Sequence, residues 1–157
     1  MTLELLIGVS GIIIALGAAI TTIWQGILTR QHNRLSVKPI IRIDRNSTLN
    51  NFNIELLNNG FGAAIIKSAK YFVDNIEIED NNISAQVIEK LELNDSYEHF
   101  QILTGESLSC GEQRSLFKSI GEIDSTKVMD KFKRFSIEIK YESIYNEKFI
   151  IKNQDNR

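Results

Sequence analysis

Cysteine occurs once in the 157 residues, as Cys110, and proline once, as Pro39. There is one tryptophan, Trp24, and there are two histidines, His32 and His99. A single thiol excludes an intrachain disulfide and fits a reducing compartment. Two histidines and one cysteine, none at ligand spacing, offer no metal motif, so neither a metal nor a cofactor is expected. One proline and nine glycines exclude a collagenous or low-complexity chain. An excess of positive charge is missing too. The formal net charge is -2, and residues 39–157 hold 15 Lys and Arg against 19 Asp and Glu. That balance disfavours a partner such as a nucleic-acid duplex, which is held by a broad basic field.

The most informative absence lies between Leu5 and Thr29, where 25 consecutive positions carry no charge. At a rise of about 1.5 Å per residue such a helix spans roughly 37 Å, more than the ~30 Å of a hydrocarbon core. The flanks distinguish an anchor from a cleaved leader. Met1-Thr2-Leu3-Glu4 has no Lys or Arg, and Ile20, Ile23, Trp24, Ile27 and Leu28 carry the run past Gly17-Ala18-Ala19. A secretory leader has a basic start and a shorter apolar stretch, so residues 1–38 read as an uncleaved signal anchor with a basic juxtamembrane helix. Arg30, Arg34, Lys38 and Arg42 follow the run, suited to lipid headgroups and to holding that side in the cytoplasm. The expected topology is single-pass in the cytoplasmic membrane, with a short outside N-terminus and residues 39–157 inside.

Within the run, Gly8, Gly11, Ala15, Ala18, Thr22 and Gln25 recur at spacings of three and four. All six are small or polar, and such a seam lets two helices approach closely and bond to each other. Homo-oligomerisation through this face is therefore expected.

After Pro39 the pattern changes to short apolar segments divided by Asn, Gly and Asp. Ile40 to Ile43 reads as a strand and Asn46 to Asn51 as its turn. Phe52 to Leu56 alternates strictly, and Ala64 to Val73 is a long β-branched and aromatic run. Asp74-Asn75 is a tight turn before Ile76 to Ile78. Ser84 is placed to cap a short helix to about Leu91, and Asp124 a second one bearing Val128, Met129 and Phe132. Strands are expected at Phe100–Leu103, Ser107–Cys110 and Arg114–Ile120. The alternation of Phe135, Ile137, Ile139 and Tyr141, a turn near Tyr145-Asn146 and the return through Lys148–Ile151 make a closing hairpin. About seven short strands predict a mainly-β domain, an antiparallel sandwich or small barrel with one or two short helical insertions. An α+β label is the alternative.

Three stretches carry a resemblance: Arg30 to Pro39, Leu57-Asn58-Asn59-Gly60-Phe61-Gly62-Ala63-Ala64, and Tyr141-Glu142-Ser143-Ile144-Tyr145. Together they resemble small, uncharacterised bacterial single-pass membrane proteins with an N-terminal anchor and an immunoglobulin-like β-sandwich tail. The resemblance covers nearly the whole chain and implies that fold, but it brings no activity with it. A proline common near Ala63 in that pattern is absent here.

Chemistry-bearing patterns are sparse. Gly60-Phe61-Gly62 lacks the extended glycine fingerprint and the Lys-Ser/Thr of a phosphate loop, and reads as a turn that needs glycine dihedrals. Asp74, Glu77, Glu79 and Asp80 lack calcium-loop spacing. Ser107, Ser109 and Cys110 form no nucleophile elbow. Lys127, Lys131, Lys133 and Arg134 are the most basic stretch of the tail, a wet helix face or a docking surface for an anionic ligand. The expectation is a non-enzymatic recognition or scaffold module whose partner is a cytoplasmic protein or a small anionic ligand. The alternative is a ligand-gated, membrane-disrupting effector of a bacterial antiviral system, which senses a signal such as a cyclic nucleotide.

Overall fold

A computed structural model of the chain describes residues 2–48, 51–79, 83–93, 96–121 and 124–153. The chain divides into two compact units, Met1–Ser36 and Val37–Arg157. The first is one helix, α1 (Leu3–Ser36), which buries none of its residues. It is long and apolar enough to cross a membrane.

The second unit is built from β1 (Ile41–Thr48), β2 (Asn51–Asn58), β3 (Ala64–Val73), β4 (Ile76–Glu77), α2 (Ile83–Lys90) and β5 (Ser96–His99). It continues through β6 (Ser107–Leu108), β7 (Gln113–Ile120), α3 (Ser125–Phe132), β8 (Phe135–Glu142) and β9 (Lys148–Lys152). All strand pairings are antiparallel. One sheet runs β1-β2-β7-β5 and the other β4-β3-β8-β9, with β6 also paired to β3. The two sheets share one core and stay separate, so the barrel expectation is set aside. Strand alternation explains the core. Phe52, Ile54 and Leu56 of β2 point inward, as do Ile137, Ile139 and Tyr141 of β8. Phe132 of α3 stacks on Phe52 at 4.5 Å between ring centres, and Phe117 meets Phe135 at 5.2 Å.

Several boundaries differ from the expected ones. β1 runs through Thr48, which pairs with Asn51, so Asn46 to Thr48 are ladder rather than turn; Leu49 and Asn50 lie outside the described residues. No strand forms at Phe100–Leu103; the ladder to β7 is made by Ser96–His99. Phe100 and Leu103 are half exposed, and only Ile102 turns inward, its N–H donating to the Tyr71 hydroxyl at 3.3 Å. Phe100 makes the last bond of that ladder, its N–H donating to the Leu116 carbonyl at 3.0 Å, and the chain leaves the sheet after it. β6 keeps only Ser107 and Leu108, because Ser109 and Cys110 enter a turn. The Asp74-Asn75 turn has φ of 53° and 65°, as a two-residue hairpin requires. Asp124 caps α3 by accepting from the Lys127 N–H at 3.4 Å. The Ser84 side chain and Asp80 lie outside the described residues.

Candidate functional site

The six seam residues Gly8 to Gln25 all lie on α1, and every one is exposed. A Cβ built on Gly8 or Gly11 meets nothing within 4 Å. The Thr22 hydroxyl donates to the Ala18 carbonyl at 2.8 Å, which leaves its oxygen as an acceptor for a neighbour. Of the basic cluster, Arg30 and Arg34 ride on α1, while Lys38 and Arg42 belong to the second unit. The Lys38 ammonium sits 5.4 Å from the centre of the Phe149 ring, and Arg42 pairs with Asp44 at 2.5 Å.

The cationic stretch around α3 is engaged within the chain. Lys127 pairs with Asp124 at 3.0 Å, and Lys133 with Asp130 at 2.6 Å. Lys131 donates to the Glu92 carbonyl at 2.5 Å. Arg134 grips Asp74 with two hydrogen bonds of 2.8 and 2.5 Å, and its guanidinium holds the Asp74 carboxyl below the usual carboxylate range. Hydrogen bonds from the Lys127 side chain and N–H lower Asp124 in the same way. Four cations that already meet five oxygens of their own chain offer little field to a second anion.

A feature the sequence did not announce is Asn58, which is fully buried. Its Oδ1 accepts from the N–H groups of Ile40 (3.1 Å) and Gly60 (3.0 Å). Its Nδ2 donates to the carbonyls of Gly62 (2.7 Å) and Leu108 (2.9 Å). One side chain thereby ties together the start of β1, the β2–β3 loop and β6. The glycines beside it are required by close approach. A Cβ on Gly60 would stand 2.6 Å from Pro39 Cα, and one on Gly62 would overlap the Val37 carbonyl, 2.5 Å from its carbon. The expectation that Gly60-Phe61-Gly62 needs glycine dihedrals is not met, since neither glycine takes positive φ; the bend there needs glycine because the backbone of Val37–Ile40 packs against it.

Arg114 is a second organiser. Leu103-Thr104-Gly105-Glu106 and Ser109-Cys110-Gly111-Glu112 are two turns of one design. In each, Gly takes positive φ (92° and 73°) and the Glu carboxylate accepts from the N–H three residues back (3.2 and 2.8 Å). Arg114 bridges both carboxylates, at 2.7 Å to Glu106 and 2.8 Å to Glu112. The Ser109 N–H, and then Arg114, hold the Glu112 carboxyl below its ordinary value.

His99 ends β5 with its ring 4.5 Å from that of Phe117 and edge-on to Tyr71 at 6.2 Å. Among the described residues its buried Nε2 has no hydrogen-bond partner. Burial pushes its pKa below the ordinary 6.5. The unfolded chain therefore takes up the proton first as pH falls, so stability is level above 6.5 and declines through the folded pKa. Urea midpoints measured across this range should show that decline, and His99→Phe should flatten it. The steeper loss at lower pH, where Asp74, Glu112 and Asp124 protonate, should remain in the variant.

On the outer face of the β3-β8-β9 sheet lies a half-open cavity of about 270 Å³, lined chiefly by Lys67, Lys140, Glu142, Lys148 and Ile150. No group of three or more His, Cys, Asp or Glu gathers at metal-binding range among the described residues. Compared with models of known protein families, with curated proteins and with solved structures, the chain finds no match in any of the three.

Proposed function

We propose that the chain is a membrane-anchored, non-enzymatic recognition module that self-associates through α1. In this reading the short N-terminus lies outside the cytoplasmic membrane and the β domain lies in the cytoplasm. The observation that carries it is α1 itself: it has no buried residue and its positions 5–29 carry no charge, while the β domain fills a core of its own residues. An apolar helix of this length that buries none of its residues is at home in lipid. The one-sided basic flank Arg30, Arg34, Lys38 and Arg42 supports the orientation. We further infer that the domain is an immunoglobulin-like sandwich. Its strand orders β1-β2-β7-β5 and β4-β3-β8-β9 correspond to the A-B-E-D and C′-C-F-G sheets of that topology. The effector reading needs an accessible anion site, and the internal partners of Lys127, Lys131, Lys133 and Arg134 weigh against finding it there.

Self-association is supported by the glycines. An interior glycine costs a helix about 1 kcal/mol relative to alanine; all four glycines of α1 have open space beside them among the described residues, and Gly8 and Gly11 are the two that fall on the seam. Replacing Gly11 and Ala15 together with leucine should preserve membrane insertion and abolish cross-linked oligomers in the bilayer. Gly17→Leu, off the seam, should leave them intact. Oligomers that survive the double substitution rule this face out as the interface.

A further inference from the structure

Among the described residues β9 forms the outer edge of its sheet, paired only with β8. Its ladder fixes which backbone groups are free. Ser143 N–H donates to the Glu147 carbonyl and Asn153 N–H to that of Ile137. With the register Tyr141↔Phe149 and Ile139↔Ile151, those residues form the hydrogen-bonded pairs. The N–H and C=O groups of Lys148, Ile150 and Lys152 therefore point away from β8, toward an incoming strand. Their side chains stand on the outer face, where Ile150 is 65% exposed, whereas Phe149 and Ile151 pack against the core.

Charge selects the occupant. Around this edge stand Lys38, Lys67, Lys140, Lys148 and Lys152, against Glu138, Glu142 and Glu147. Lys67 uses Glu142 at 3.0 Å, Lys140 lies 3.9 Å from Glu138, and Lys152 reaches back to within 5.2 Å of the Phe72 ring centre. The edge is cationic on a domain whose charge is negative overall. A second copy fits poorly, because antiparallel self-pairing centred on Ile150 sets Lys148 against Lys152 at both ends. Edge lysines of this kind guard against apolar and cationic strands and leave the way open to acidic ones.

We propose that the β9 edge binds an extended peptide segment by antiparallel strand addition, with an apolar residue opposite Ile150 and acidic residues opposite Lys148 and Lys152. This rests on the recognition reading and names its partner class. Backbone hydrogen bonds supply the attachment, and the acidic residue opposite Lys148 faces the cavity shared by Lys67 and Lys140.

The test uses the full chain in nanodiscs of zwitterionic lipid and a fluorescein-labelled peptide, Ser-Glu-Val-Ile-Thr-Glu-Ser, read by anisotropy. The same peptide with both Glu replaced by Lys should bind at least about tenfold more weakly, as two opposed charge pairs are lost. Lys148→Glu/Lys152→Glu, on exposed side chains, should reverse that preference. N-methylation of the peptide's Ile, whose amide faces β9, should abolish binding, while N-methylation of its Val and Thr should not. Ile150→Pro removes a donor that β8 does not use, and should abolish binding of both peptides. Equal binding of the Glu and Lys peptides, or binding that survives N-methylation of the Ile, overturns the proposal. So does no binding at all, including the case in which Ile150→Pro instead dissociates an oligomer and so assigns the edge to a second copy. Failure of the chain to remain with the nanodiscs would overturn the anchor and is scored separately from peptide binding.

Discussion

Replacing Asn58 with leucine should destabilise the β domain by about 4 kcal/mol, although the two side chains are nearly the same shape. The loss is in the partners left behind. Ile40 N–H, Gly60 N–H and the Gly62 carbonyl would lose this partner, and the Leu108 carbonyl, which also pairs with Ala64 in the ladder, would lose one of two. Each buried orphan costs about 1–3 kcal/mol, and relaxation of the loop recovers part of the sum. Asn58→Asp keeps the two acceptor contacts but turns a buried carboxylate oxygen toward the carbonyls of Gly62 and Leu108, so it should cost at least as much. Urea denaturation of the full chain in detergent measures both. A loss below about 1 kcal/mol for Asn58→Leu would mean that the Val37–Ile40 segment is not held by this clamp.

The other large effect is expected at Phe132. Its ring is fully buried and touches those of Phe52 (4.5 Å), Phe117 (5.6 Å), Phe135 (5.9 Å) and Tyr97 (6.1 Å) between centres. Phe132→Ala removes the contact that seats α3 on the core, and should cost about 3–5 kcal/mol. Met129, three residues earlier on the same helix, is 40% exposed, and its alanine variant should stay within about 1 kcal/mol. Comparable losses at the two positions would contradict the packing described for α3.

These two residues mark how far the sequence could be read. Phe132 was legible because helical spacing puts it on one face with Val128, and a face of that kind is buried whatever it packs on. The same holds for the alternation of β8 and for the uncharged length of α1. Asn58 was not legible, since an asparagine near two glycines reads as a turn. Only the fold brings Ile40 and Leu108 to it, from 18 and 50 residues away. The strand at Ser96–His99 escaped for a related reason. Its polar composition gives no period, and it forms because β7 offers it an edge. Arg114 joins two turns that repeat one sequence pattern, Gly-Glu after two residues, and that repeat was available to be read. The cationic stretch shows the converse. Lys127, Lys131, Lys133 and Arg134 stand out in the sequence, yet three of them pair with acids, two of those only a few residues away.

The chain carries its own topology probe in Cys110, its one cysteine, which is exposed in the β domain. Sealed right-side-out vesicles from cells making the protein can be treated with a membrane-impermeant maleimide before and after permeabilisation. The anchor and its orientation predict that Cys110 is modified only after permeabilisation, and that the chain stays in the membrane pellet through alkaline extraction. Modification of Cys110 in the sealed vesicles would place the domain outside, and release at alkaline pH would remove the anchor; either result contradicts the account.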